Sequence, residues 1–177
     1  MEGKILNVVS EQSYLRHKEY ADKFALKYSI LEKSDSRIPK ITGVSELWRS
    51  SAPTEIKREA IACYSEYAAH RLYFSSFSDG LVKCAAVKSE YSSENAFLYS
   101  LLCQALKFGE GFLFIMCGKR RMSVLMTRDN AEAYSDSTRV PVLAVDLFEH
   151  AYFADYGFDR EAYLRRALAH LDLSKIS

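Results

Sequence analysis

The chain has 177 residues, 49% apolar and 27% charged, with seven glycines and three prolines. That is the mix of a globular domain able to bury a core, and it excludes disordered, collagen-like and low-complexity chains. A formal net charge of +1 excludes a global field that would draw the chain onto nucleic acid or an anionic membrane.

In chain order, the opening "MEGKILNVVS" has neither a long apolar run nor a cleavage pattern, so neither a signal peptide nor a membrane segment is expected. From Ser10, a natural N-cap, the positions Tyr14, Ala21, Phe24, Tyr28 and Leu31 fall at helical spacing, with His17 filling a gap in the stripe. "EKSDSRIPKITG" breaks that pattern and reads as a loop. Pro53 and Thr54 then start a second helix. Its stripe, Ile56, Ala60, Cys63, Tyr67, His70, Phe74 and Phe77, alternates steps of four and three, as a buried helix seam does. "SDG" at 78–80 ends it.

The second half changes character. Ser92 or Ser93 caps a helix running to Lys107. "GFLFIMC" and "MSVLMT" read as strands joined by "GKRR" at 118–121, a solvated hairpin tip, so nucleic-acid binding is not expected. "VPVLAVDL" reads as a buried third strand. Helices over 148–156 and 159–171 follow, separated by Gly157, with Asp159 as N-cap. Grouped helices followed by grouped strands predict an α+β chain: a helical-hairpin lobe over 1–80, and a lobe over 81–177 with a small three-stranded antiparallel sheet and helices. Cys63, Cys84, Cys103 and Cys117 lack C-x-x-C spacing and lie in apolar stretches. They read as reduced, buried thiols of a cytoplasmic protein.

The chemistry points to the histidines. Asp146 closes the most apolar stretch, where a bare carboxylate is costly, and His150 follows one helical turn later. Alone, Asp146 serves equally well as a helix N-cap, and His70 as a core histidine satisfied by a carbonyl. Together, an aspartate and two histidines among aromatic residues (Phe108, Phe112, Phe114, Phe148, Tyr152, Phe153) suit a redox metal such as iron or manganese. The set is too poor in thiolate for a structural zinc site.

"VDLFEHAYFADYGFDREAYL" at 145–164 resembles the C-terminal signature of the iron/manganese superoxide dismutases, D-x-W-E-H-A-Y-Y followed by D-Y-x-x-x-R-x-x-Y. Asp146, Glu149, His150, Ala151, Tyr152, Asp155, Tyr156, Arg160 and Tyr163 fall in step with it. "FGEGFLFI" resembles F-G-S-G-W-x-W-L, "AAHRLYFSSFS" resembles the N-H-x-F-Y-W segment, and "RHKEY" resembles H-H-x-x-Y. The resemblance implies a helical hairpin packed on an α/β lobe, with one iron or manganese between them held by three histidines and an aspartate. It implies dismutation of superoxide, with His70, Asp146 and His150 as ligands and Tyr20 as the gateway tyrosine. It also implies a homodimer, or a heterodimer with a paralogue, through the Glu149–His150 region.

The pattern departs at several places. Counting back from Tyr20 puts Gln12 where the first metal histidine belongs. The glutamine four residues before the second ligand becomes Glu66, and the gateway's neighbouring histidine becomes Arg16. The tyrosine that reaches across the dimer becomes Phe153. Glu66, one turn before His70, is the favoured replacement ligand, with His17 behind it because a register shift would displace Tyr20. Such changes predict altered or impaired dismutation. The alternative is a site that has lost its metal, in a non-catalytic structural or interaction subunit that keeps the fold.

Overall fold

The computed structural model describes residues 2–40, 43–80, 82–119 and 121–176. After a 3₁₀ turn at Glu2–Asn7, α1 runs Glu11–Ser34 and α3 runs Thr54–Ser75, with the short α2 (Val44–Arg49) between them. Ser10 starts α1 by accepting a hydrogen bond from the Ser13 amide. The buried face of α1 is Ser13, Tyr14, His17, Ala21 and Tyr28, one stripe of a helix with 3.6 residues per turn. That stripe lies along α3, whose own buried face includes Ala60, Cys63, Ala69, His70 and Phe74.

The second half supplies α4 (Ala85–Glu90), α5 (Glu94–Phe108), β1 (Phe112–Gly118), β2 (Met122–Thr127), α6 (Ala131–Ser135), β3 (Arg139–Asp146), α7 (Phe153–Tyr156) and α8 (Arg160–Ala169). The three strands form one antiparallel sheet in the order β2-β1-β3. The register sets Phe112 opposite Asp146 at one end and Gly118 opposite Arg139 at the other, with an irregularity between Ile115 and Met116. Pro141 faces Met116 there; having no N–H to donate to the ladder, it is tolerated at such a break on an edge strand. The architecture is the α+β arrangement expected from the sequence.

Several details differ from the sequence reading. Short helices α2, α4 and α6 occupy stretches to which the sequence assigned no element; at five or six residues each they hold too few apolar positions to show a period. The helix expected over 148–156 is a 3₁₀ turn at Glu149–Ala151 followed by α7, with Tyr152 off helical geometry at φ −140°. Cys63 and Cys84 are buried, whereas Cys103 and Cys117 are only partly so. Lys119 and Arg121 flank the hairpin turn as expected; Arg120 lies outside the described residues.

One apolar cluster runs through both halves of the chain, joining Tyr14, Ala21 and Tyr73 to Phe97, Phe112, Val145 and Leu164. Ser76, just past α3, ties the layers together: its hydroxyl donates to the Leu72 carbonyl (2.7 Å) and accepts from the Ala144 amide of β3 (2.8 Å). Among the described residues no helix is long and apolar enough to cross a membrane.

Candidate metal centre

Four side chains from four elements converge where α1 and α3 meet the end of β3. His17 comes from α1, His70 from α3, Asp146 from the last position of β3, and His150 from the turn that follows. Their ligating atoms all lie within 4.8 Å of one another. All three imidazole Nε2 atoms approach one carboxylate oxygen, Asp146 Oδ2, at 3.1 Å (His17), 3.7 Å (His70) and 3.0 Å (His150). Asp146 and His70 are fully buried, and His150 keeps about a third of its side chain exposed (34%).

Both readings of Asp146 hold at once. Its Oδ1 accepts from the Phe148 amide at 2.9 Å, as a cap does, while Oδ2 faces the histidines. Burial pushes its carboxyl up, but the hydrogen bond to His150 and the nearby His17 imidazole outweigh that and hold it below the usual carboxylate range. His70 likewise combines two roles. Its Nδ1–H donates to the Glu66 carbonyl at 2.7 Å, which fixes the tautomer and leaves an Nε2 lone pair facing the cluster. Burial, reinforced by His17 and His150, lowers the His70 pKa to about 4. For His150, burial is outweighed by Asp146, and its pKa rises.

This arrangement suits a cation. His17 Nε2 and His70 Nε2 are buried without a hydrogen-bond partner, and a lone pair turned toward a carboxylate oxygen is repulsive unless a proton or metal lies between. Three imidazole nitrogens and one carboxylate oxygen form a donor set that suits iron or manganese. The residues present therefore fit the metal that the resemblance implies.

His17 completes the cluster, in the place for which the sequence favoured Glu66. Gln12 is exposed; it lies five residues from His17, about 140° around the helix, so the two cannot share a face. Glu66 is also outside the four. Its carboxylate accepts from Asn130 Nδ2 at 3.1 Å and comes no nearer than 4.0 Å to His70 Nδ1. Burial, then the Asp146 charge, raises the Glu66 pKa to about 7. Nor does use of His17 displace Tyr20. Three residues further along α1, Tyr20 shares the His17 face, and its ring centroid lies 4.7 Å from that of His150 and 5.5 Å from that of His70. Its phenol pKa is raised, first by burial and then by Glu66 and Asp146.

The surrounding shell is aromatic, but only partly the one read from the sequence. Phe148 stacks on His150 (5.5 Å) and Phe112 meets His70 edge-on (5.2 Å), with Phe114 stacked behind Phe112. Phe74 and Tyr73, neither of them among the aromatic residues expected around the site, pack on His17 at 5.1 and 5.3 Å. Phe153 instead meets the exposed Phe158, and Tyr152 stacks on Tyr163. Phe74 was legible as a stripe position; Tyr73 was not, because it sits off that stripe.

The polar residues of the C-terminal signature act as ties. The Asp155 carboxylate accepts from the Ser10 amide at 2.8 Å and so fixes the start of α1. The Tyr156 hydroxyl donates to the Val8 carbonyl, and Arg160 donates to the Gly109 carbonyl. The Tyr163 hydroxyl donates to the Asp146 carbonyl at 2.8 Å, and its oxygen lies 3.1 Å from the Tyr73 hydroxyl. These contacts set the phase of α1, hence His17, against the end of β3.

Fold and site define an α+β protein with a three-histidine, one-aspartate cluster between a helical hairpin and a sheet. Residues 81–177 match the family described as iron/manganese superoxide dismutases, C-terminal domain, and the chain belongs to that family. It is 28% identical over 133 residues to an iron superoxide dismutase of Cupriavidus metallidurans, covering 68% of this chain and 66% of that protein. It is 27% identical over 122 residues to a manganese superoxide dismutase of Listeria ivanovii, covering 64% of this chain and 59% of that protein. With an iron superoxide dismutase of Plasmodium falciparum it shares 30% identity over 82 residues, 45% of this chain and 41% of that protein. The matched stretches thus span less than two thirds of these relatives.

Proposed function

We propose that the chain binds one iron or manganese ion through His17, His70, Asp146 and His150 and uses it to dismute superoxide to hydrogen peroxide and oxygen. The observation that supports this reading is the convergence of three Nε2 atoms on Asp146 Oδ2, two of them buried and without a hydrogen bond. The bound metal would supply the one-electron exchange, taking an electron from one superoxide and giving it to the next.

The chain's own residues supply position and protons. The backbone tie from His70 to Glu66 and the Asp146 contact of His150 hold the imidazoles with Nε2 inward. The aromatic shell of Phe74, Phe112 and Phe148 limits water at the buried side. Tyr20 is partly exposed (38%) and carries a raised pKa, so it stays protonated at neutral pH and stands where a proton can pass from solvent toward the cluster. Glu66, held by Asn130, presents a carboxylate one turn from His70 and alters the balance of the two half-reactions.

The same reading makes the protein cytoplasmic and dimeric through the Glu149–His150 region, where Phe153 and Phe158 are exposed beside each other. The deciding experiment is elemental analysis of the purified protein, with dismutase assay after loading with iron or manganese and sedimentation of the same sample. One metal per chain and dismutation, both lost in Asp146→Ala, support the reading. A folded protein that takes up neither metal overturns it in favour of a non-catalytic subunit.

A further inference from the structure

The basic hairpin tip borders a groove that the metal centre does not use. Gly118, Lys119, Arg121, Ser137, Thr138 and Arg139 line an open cavity of about 660 Å³, within the size range of small-ligand sites. Its best-ordered cation is Arg139. Asp136 accepts from the Arg139 Nε at 2.8 Å, and Arg139 Nη1 donates to Ser123 Oγ at 2.8 Å. Gly118 makes room for it: a Cβ there would stand 2.9 Å from the Arg139 Cγ and 2.9 Å from the Thr138 carbonyl oxygen.

The carboxylate of Asp136, beside Arg139, is already consumed. It accepts from the Thr138 amide (2.8 Å) and hydroxyl (2.7 Å) and from the Arg139 amide (3.1 Å), besides the guanidinium. Lys119 and Arg121 pair with no carboxylate among the described residues. Glu90 lines a neighbouring, smaller cavity that Lys119 and Arg121 also border. With Arg139 neutralised by Asp136, the two unpaired cations Lys119 and Arg121 leave this concave surface with a local excess of positive charge, and the Arg121 guanidinium matches phosphate oxygens in geometry.

We propose that this groove binds the phosphate groups of a small phosphorylated ligand of nucleotide size. A single groove in a chain of net charge +1 favours such a ligand over a nucleic-acid strand, which needs an extended track of cations. The site is separate from the metal centre: Gly118 and Phe112 lie at opposite ends of β1, about 20 Å apart at strand rise.

The test is isothermal titration of the full chain with ADP, inorganic pyrophosphate and a single-stranded RNA oligonucleotide, alongside the exposed double variant Lys119→Glu/Arg121→Glu. Saturable binding of ADP or pyrophosphate is expected, weakened at least about tenfold in the variant, with thermal midpoint and metal content unchanged. Tighter binding of ADP than of pyrophosphate identifies a nucleotide as the source; equal binding identifies the phosphate group alone. The proposal is overturned if neither anion binds saturably, if the variant binds equally well, or if only RNA binds.

Discussion

His17 Nε2 lies 3.1 Å from Asp146 Oδ2, joining the middle of the first helix to the last residue of the third strand. This contact makes the cluster four-membered, and neither Gln12 nor Glu66 belongs to it. His17→Ala is expected to lower metal affinity by more than about 100-fold, beyond what loss of an outer hydrogen-bond partner costs. Gln12→Ala and Glu66→Gln should keep about one metal per chain. Elemental analysis of the three variants decides; full metal in His17→Ala would sink the assignment.

Gly111 secures the other side of the centre. Its carbonyl accepts from the Leu147 amide at 2.8 Å, immediately after Asp146. Its φ is +137°, and an added Cβ would sit 2.4 Å from the Thr127 carbonyl oxygen. Gly111→Ala therefore combines backbone strain with a collision against backbone. A loss of more than about 2 kcal/mol is expected, seen as a thermal midpoint lower by about 4–8 °C for a chain of this size. An unchanged midpoint would contradict the geometry.

Tyr163 is buried, and its hydroxyl bonds to the Asp146 carbonyl. Tyr163→Phe leaves that carbonyl and the Tyr73 hydroxyl short of a partner, at a cost of about 1–3 kcal/mol. Urea unfolding should show a lower midpoint at unchanged slope. Stability equal to that of the parent chain would show that the hydroxyl contributes nothing net.

Asp35 accepts from the Arg37 amide, Nε and Nη2 at 3.0, 2.8 and 2.7 Å. The hydrogen bonds from the Arg37 side chain and then its amide lower its carboxyl from 3.8 to about 2. A depressed folded-state pKa stabilises above the unfolded value and loses that effect as pH falls through the folded one. The thermal midpoint of the parent chain should thus exceed that of Asp35→Asn at neutral pH, with the gap narrowing between roughly pH 4 and pH 2. A gap that stays constant across that range would refute the assignment.

What the sequence determined by itself was whatever rests on local pattern. Ser10, Pro53, Ser93 and Asp159 marked helix starts, alternation and apolar runs marked three strands, and the spacing of Asp146 and His150 put them one turn apart. What only the tertiary structure decided was the fourth member of the site and the role of the signature residues. Counting back from Tyr20 placed the missing histidine at position 12 and left Glu66 favoured over His17, because a motif counted from Tyr20 carries no information about which face of α1 meets α3. That face is fixed by packing across the hairpin and by Asp155 holding the Ser10 amide and Tyr156 the Val8 carbonyl. A helix rotates about 100° per residue, so the register of these distant contacts, invisible in any local window, selects His17 over Gln12.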